Sequence, residues 1–217
     1  VVFDQRVETW VQLHLDAFAF FGGVPATVVP DKLKAAVIRA AFCVDEVSTL
    51  HRAYRELARH HGFVIDPTPP RSPEKKGKVE RAVRYIKDAF FGRYEPDSLD
   101  EANAGLATWL VERAGMRVHG TTGRRPLELF EEVERPALRP LPTKRFVIAT
   151  WKEATIGRNS HVVFERAFWS VPWRFLERKA LVRATTHQVE IYVDDALVAT
   201  HPRRPAQRWN TVEHHLP

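Results

Sequence analysis

Apolar residues first recur at helical spacing over residues 5–21 (QRVETWVQLHLDAFAFF), where Val7, Trp10, Val11, Leu15 and Phe18 fall on one side. Gly22 and Gly23 supply the stop. The period then changes. ATVVP (26–30) is a short apolar run closed by proline and predicts a buried strand. Asp31 follows at once, and KLKAAVIRAAF (32–42) returns to helical texture. VSTLHRAYRELARH (47–60) predicts another helix ended by Gly62, and FVIDP (63–67) a second short strand. After the proline-rich TPPRSPE (68–74), helices are predicted over about 75–91 and 98–114. Ser98 is placed as the N-cap of the latter and Glu101 to complete a capping box. A turn, HGTTG, and a short helix from Pro126 close this part.

Strands alternating with helices predict an α/β layer with parallel pairing. Two strands make a poor sheet, so further strands are expected upstream of Val1. ERPALRPLP (134–142) has three prolines in nine residues and reads as a linker. From 145 onward the texture is β-rich, in short runs broken by Gly157-Arg158-Asn159 and Asp194-Asp195. This predicts a small all-β barrel, with Trp151, Trp169 and Trp173 in its core. The expected domains are 1–133 (α/β), 134–144 (linker), 145–205 (barrel) and 206–217 (tail).

Charge sharpens the picture. The chain of 217 residues carries a net charge of +6. Residues 68–94 hold eight lysines and arginines against three acids, so one segment carries most of the excess. A focused basic stripe points to a polyanion, nucleic acid first; its bland counterpart is a solvated basic face. Cys43 is the only cysteine, which excludes an internal disulfide and a cysteine zinc site and suits a reducing, cytoplasmic compartment. No apolar run approaches the ~20 residues of a membrane helix, and the start VVFDQRVETW has no signal-peptide pattern.

Two acids stand out. Asp31 sits at the carboxyl end of a predicted strand, where open α/β sheets place ligands; equally, Asp is a favoured N-cap and a helix is predicted right after it. Glu80 lies inside the basic segment, beside the apolar face Val79, Val83, Ile86 and Phe90. It fits an i, i+4 ladder Lys76–Glu80–Arg84, worth ~0.2–0.5 kcal/mol per pair. However, lysines at a helix start oppose the helix dipole, which favours a phosphate-binding role for Lys75, Lys76 and Lys78. Two carboxylates meeting from a strand end and a helix would suit Mg²⁺ or Mn²⁺, as in two-metal phosphoryl transfer. The pairs His60-His61 and His214-His215 are weaker metal candidates, because neighbouring side chains diverge on regular elements. His119-Gly-Thr-Thr-Gly is too short and glycine-poor for a phosphate loop.

FFGGVPATVVPDKLKAAV, followed by YRELARHHGFVIDPTPPRSPEKKGKVERAVRYIK, resembles the IstA-type insertion-sequence transposases of the D-D-E, retroviral-integrase-like superfamily. HGTTGRRPLELFEE and HVVFERAFWSVPWRF match later segments, so the resemblance spans essentially the whole chain. It implies an RNase H-like catalytic core, of which this chain would hold part, followed by a small barrel. It also implies three metal-binding acids, cleavage at transposon ends and joining of 3′ hydroxyls to target DNA. By position, Asp31 matches the second acid and Glu80 the third, 49 positions apart. Lys75, Lys76, Lys78, Arg81, Arg84 and Lys87 become DNA contacts. The first acid is expected upstream of the first helix; Asp4, just before that helix, does not fit the role. The chain thus resembles a C-terminal portion, expected to bind DNA but not to cut it alone. Further implied partners are sister subunits on DNA and a helper AAA+ ATPase. The alternative is a non-catalytic DNA-binding or assembly module; a third class is an adaptor for an acidic protein.

Overall fold

A computed structural model describes residues 1–30, 52–66, 73–204 and 207–217, with the side chains of 73–76 and 78 excepted. It divides into two compact units, Val1–Lys144 and Arg145–Pro217.

In the first unit, α1 (Val7–Phe21) ends where Gly22 takes φ +73° and the Gly23 amide reaches back to the Phe18 carbonyl at 3.1 Å. Only glycine enters that conformation without strain. A Cβ on Gly23 would lie 2.7 Å from the Leu138 Cβ, so this second glycine is required by close approach. Strand β1 (Thr27–Val28) pairs in parallel with β2 (Val64–Ile65), which follows α2 (Arg52–His61). The inner side of α2, Ala53, Tyr54, Leu57 and Ala58, is buried. It meets α1 through an aromatic cluster in which His14 bridges the Trp10 carbonyl (2.8 Å) and the Tyr54 hydroxyl (3.2 Å).

Helix α3 (Pro73–Ile86) runs into a π-helical turn at Lys87–Phe91, and α4 (Leu99–Trp109) into another at Leu110–Ala114. Phe90, packed on Tyr94 and Trp109, locks the two helices together. The expected cap forms: the Ser98 hydroxyl accepts from the Glu101 amide. The reciprocal bond lands one residue early, with the Asp97 amide donating to the Glu101 carboxylate at 2.9 Å. The Tyr94 phenol also donates to Glu101 at 2.6 Å and is the main reason its carboxyl is held below the usual range. HGTTG closes as a turn in which the Gly123 amide donates to the His119 carbonyl, and α5 (Pro126–Leu129) follows. The proline-rich stretch expected as a linker is anchored in this unit. Arg135–Ala137 forms a 3₁₀ turn, Val24 and Arg139 exchange two backbone hydrogen bonds at 2.9 Å, and the Arg139 guanidinium donates to the Gly62 carbonyl.

The second unit corrects the expected barrel. Its described strands form two sheets. One is antiparallel, in the order β3 (Thr150–Thr155), β6 (Lys179–Ala184), β7 (Gln188–Val193), β8 (Ala196–Pro202). The other joins β4 (His161–Phe164), β5 (Ala167–Ser170) and β9 (Trp209–Asn210), with β9 parallel to β5. Closure fails because the chain turns after β3 at Gly157–Ser160, and β4 then pairs with β5 instead of extending the first sheet. The inner faces share one core, with Val162, Phe164 and Trp169 from one sheet and Val182, Val189 and Ile191 from the other. Of the three tryptophans assigned to the core, Trp169 is buried, Trp151 is half-buried against Tyr192, and Trp173 is exposed.

Buried histidines fasten the C-terminal segment to β5. Ser170 is the hub: its carbonyl accepts from His201 Nε2 at 2.7 Å, and its hydroxyl bonds His215 Nδ1 at 2.9 Å and accepts from the Val212 amide at 2.9 Å. His161 Nε2 bonds the Thr211 hydroxyl at 2.9 Å. Burial lowers the pKa of His201 and His215 below the ordinary 6.5, and the neighbouring imidazoles push the same way. Lowered folded-state values mean that the unfolded chain binds protons first. Stability is therefore complete above pH 6.5 and falls as the pH drops from there through the folded-state values. The melting temperature of the second unit is expected to decline between pH 7 and pH 5, before most carboxylates protonate; a flat profile would contradict this account.

Candidate nucleic-acid and metal site

Parallel pairing puts the carboxyl ends of β1 and β2 at one edge: the Val64 amide donates to the Ala26 carbonyl and the Asp66 amide to the Val28 carbonyl, at 2.9 and 3.0 Å. Asp31 follows three residues beyond Val28 and lies outside the described residues. The strand before it is not the buried one expected. Thr27 is exposed, Val28 half-buried and Val64 60% exposed. The physical reason is width, since among the described residues this sheet has only two strands and leaves faces uncovered. Asp66, exposed at the same edge, is an acid that the sequence reading passed over; its signal was its place directly after an apolar run.

Glu80 is exposed on α3. It lies on one stripe with Arg84 and Lys87, at i+4 and i+7, and both of these are exposed. The expected apolar face beside it holds only at its C-terminal end. Phe90 is buried and Ile86 half-buried, whereas Val83 and Val79 are 46% and 65% exposed. The cause is where α3 finds a partner. Tyr85 packs on Trp109 (ring centroids 5.4 Å apart) under the Arg117 guanidinium, and Phe90 packs on the same tryptophan. No described residue covers the turn that carries Glu80.

The charge ladder also differs from expectation. Arg84 pairs with Asp88 at 3.5 Å, both side chains being largely exposed, and Arg81 donates to the Gly77 carbonyl at 2.8 Å. No described side chain pairs with Glu80. An exposed pair such as Arg84–Asp88 is worth about 0–1 kcal/mol, so Arg84 stays available to an anion. The side chains of Lys75, Lys76 and Lys78 lie outside the described residues. The structure therefore brings together Glu80, Arg81, Arg84 and Lys87 on one helix and leaves the approach of Asp31 undescribed.

Among the described residues, no group of three or more His, Cys, Asp or Glu side chains is placed to hold a metal ion. The histidine pairs serve structure instead. His60 bonds the Lys144 carbonyl, His61 the Leu57 carbonyl and His215 the Ser170 hydroxyl. No helix among the described residues is long and apolar enough to cross a membrane.

Comparison with known proteins adds two findings. Residues 141–213 match the family model described as the Mu transposase C-terminal domain. Over 209 residues, 96% of the chain, it is 36% identical to a putative transposase of Mycobacterium tuberculosis, covering 50% of that protein. It is 33% identical to a putative transposase for insertion sequence IS408 of Burkholderia multivorans, over 98% of the chain and 42% of the relative. It is 32% identical to the transposase for insertion sequence element IS21 of Pseudomonas aeruginosa, over 98% of the chain and 55% of the relative. The chain spans about half the length of the curated relatives it matches. Collinear similarity of this extent, reaching across both structural units, makes the chain similar to part of several proteins named as insertion-sequence transposases.

Proposed function

We propose that this chain works in DNA transposition, as the part of a D-D-E transposase that carries the second and third metal-binding acids, Asp31 and Glu80. The observation that carries this reading is Glu80 itself: an exposed carboxylate, without a described ion-pair partner, on a stripe with Arg84 and Lys87. A solvated helix face has no need to interrupt its cations with an acid that no described side chain pairs. A DNA backbone beside a divalent cation accounts for both signs of charge. On this reading β1, β2 and the flanking helices belong to an RNase H-like layer, and the protein acts as an oligomer on DNA with a helper ATPase.

The donor set suits a hard cation. Asp31 and Glu80 would hold Mg²⁺ or Mn²⁺, which would supply activation of the attacking oxygen and stabilisation of the leaving one. Arg81, Arg84 and Lys87 bind and orient phosphates along α3, joined by Lys75, Lys76 and Lys78 at its start. Replacing Arg84 and Lys87 by alanine is expected to weaken DNA binding for all sequences alike. It should also reduce the slope of log affinity against log salt by about 1 to 2. An unchanged slope would remove α3 from the DNA interface. The 217-residue chain is expected to bind DNA without cutting it; robust end cleavage in Mg²⁺ or Mn²⁺ would refute that assignment.

A further inference from the structure

In the three-stranded sheet, register alone sorts side chains into two faces. Val162, Trp169 and Asn210 are cross-strand partners and are buried, forming the inner row. The next rung, Val163, Phe168 and Trp209, faces outward. The chain's own tail covers one end of that outer face, where Thr211 and His215 bond His161 and Ser170. It leaves the Val163–Phe168–Trp209 rung open, with Val163 49% and Trp209 48% exposed.

The indole of Trp209 is held flat. It stacks on Phe168 with ring centroids 4.0 Å apart and planes 8° from parallel. His161 closes on it edge-on at 5.3 Å. Its strand is pinned at both sides of the ring, because the Phe168 amide donates to the Arg208 carbonyl and the Gln207 side chain donates to the Trp209 carbonyl. With Phe168 against one face, the exposed half of the indole is the opposite face.

Arginines flank this pair of rings in sequence. Arg208 precedes Trp209 and reaches within 5.8 Å of the Phe168 ring. Arg204 lies exposed in the same segment, bonded only weakly to Gln207 at 3.5 Å. Arg166 is exposed in the two-residue turn that leads into β5. No described acid pairs with any of the three, although the neighbouring Arg203 is engaged by Glu165. A rigid aromatic face carried by segments whose exposed arginines have no described acidic partner complements a base and its flanking phosphates. It complements neither an apolar protein surface nor an isolated anion.

We propose that Trp209, stacked on Phe168, is a platform for an unpaired base of DNA, whose flanking phosphates are held by Arg166, Arg204 and Arg208. The proposal rests on the DNA-acting reading above and adds a second contact, in the other structural unit, specific for unpaired nucleotides.

Fluorescence anisotropy of the 217-residue chain tests it, comparing a blunt DNA duplex with the same duplex bearing a short single-stranded overhang. Wild type is expected to prefer the overhang. Trp209→Ala should lower affinity for the overhang roughly tenfold and leave blunt-duplex affinity within about twofold. Trp209→Phe should keep most of the preference. Arg166→Ala with Arg208→Ala, two exposed positions outside the core, should weaken the overhang complex and decides the matter if Trp209→Ala does not fold. Equal affinity of wild type for both DNAs, or an unchanged preference in these variants, overturns the platform. If blunt DNA is still bound with steep salt dependence, the transposition reading survives that failure; if neither DNA is bound, both fall.

Discussion

Glu80→Gln in the complete protein is expected to cut strand transfer at least about a hundredfold while DNA affinity stays within about twofold. Lewis-acid stabilisation by a bound metal is worth several kcal/mol in the transition state, and each ~1.4 kcal/mol is tenfold in rate. The amide keeps the size of the side chain but loses the anionic oxygens a hard cation requires. The substitution is structurally mild because Glu80 is exposed and no described side chain is paired with it. Removing a negative charge from a basic helix should, if anything, favour a polyanion. Strand transfer at wild-type rates in Glu80→Gln would exclude the residue from the metal site and support the non-catalytic assembly reading. Asp31→Asn should behave in the same way, since both acids are assigned to one site.

Phe164→Ala is expected to destabilise the second unit by about 3–5 kcal/mol, the range for deleting a buried aromatic side chain. Phe164 is 2% exposed and lies where both sheets contribute to one core. In a domain of this size, each ~1 kcal/mol lowers the melting temperature by about 4–8 °C, so a fall of roughly 15 °C or more should appear. Val163→Ala, one residue away on the outward face, should change stability by no more than about 0.5 kcal/mol. Equal effects at the two positions would mean that the β4 register is wrong, because a one-residue slip exchanges the faces of a strand.

Periodicity located most elements because it reports local burial. The first helix with its glycine stop, the strands at 27–28 and 64–65, the Ser98 cap and the alternation along β6 and β7 all follow from spacing and turn chemistry. Elsewhere the deciding geometry left no mark in the local spacing. Within HVVFERAFWSVP, Glu165 and Arg166 adopt φ of 48° and 63° and fold the chain into a hairpin without any glycine, asparagine or aspartate to announce the turn. The proline-rich stretch read as a linker, yet Arg139 bonds Val24 and Gly62. The apolar stripe of α3 promised burial along its length, but Trp109 meets only its last turns.

By itself, then, the sequence determined the order of elements, the concentration of positive charge around 71–87 and the identity of the two candidate acids, since these depend on residue type and near neighbours. Only the tertiary structure decided that nine described strands form three sheets and no closed barrel, that Glu80 stands on an open turn while Arg84 turns to Asp88, and that Trp209 presents a ring stacked on Phe168. The physical reason is that pairing, exposure and ion partners are set by groups far apart in the chain, and a local pattern says that a face is apolar or charged without saying what meets it.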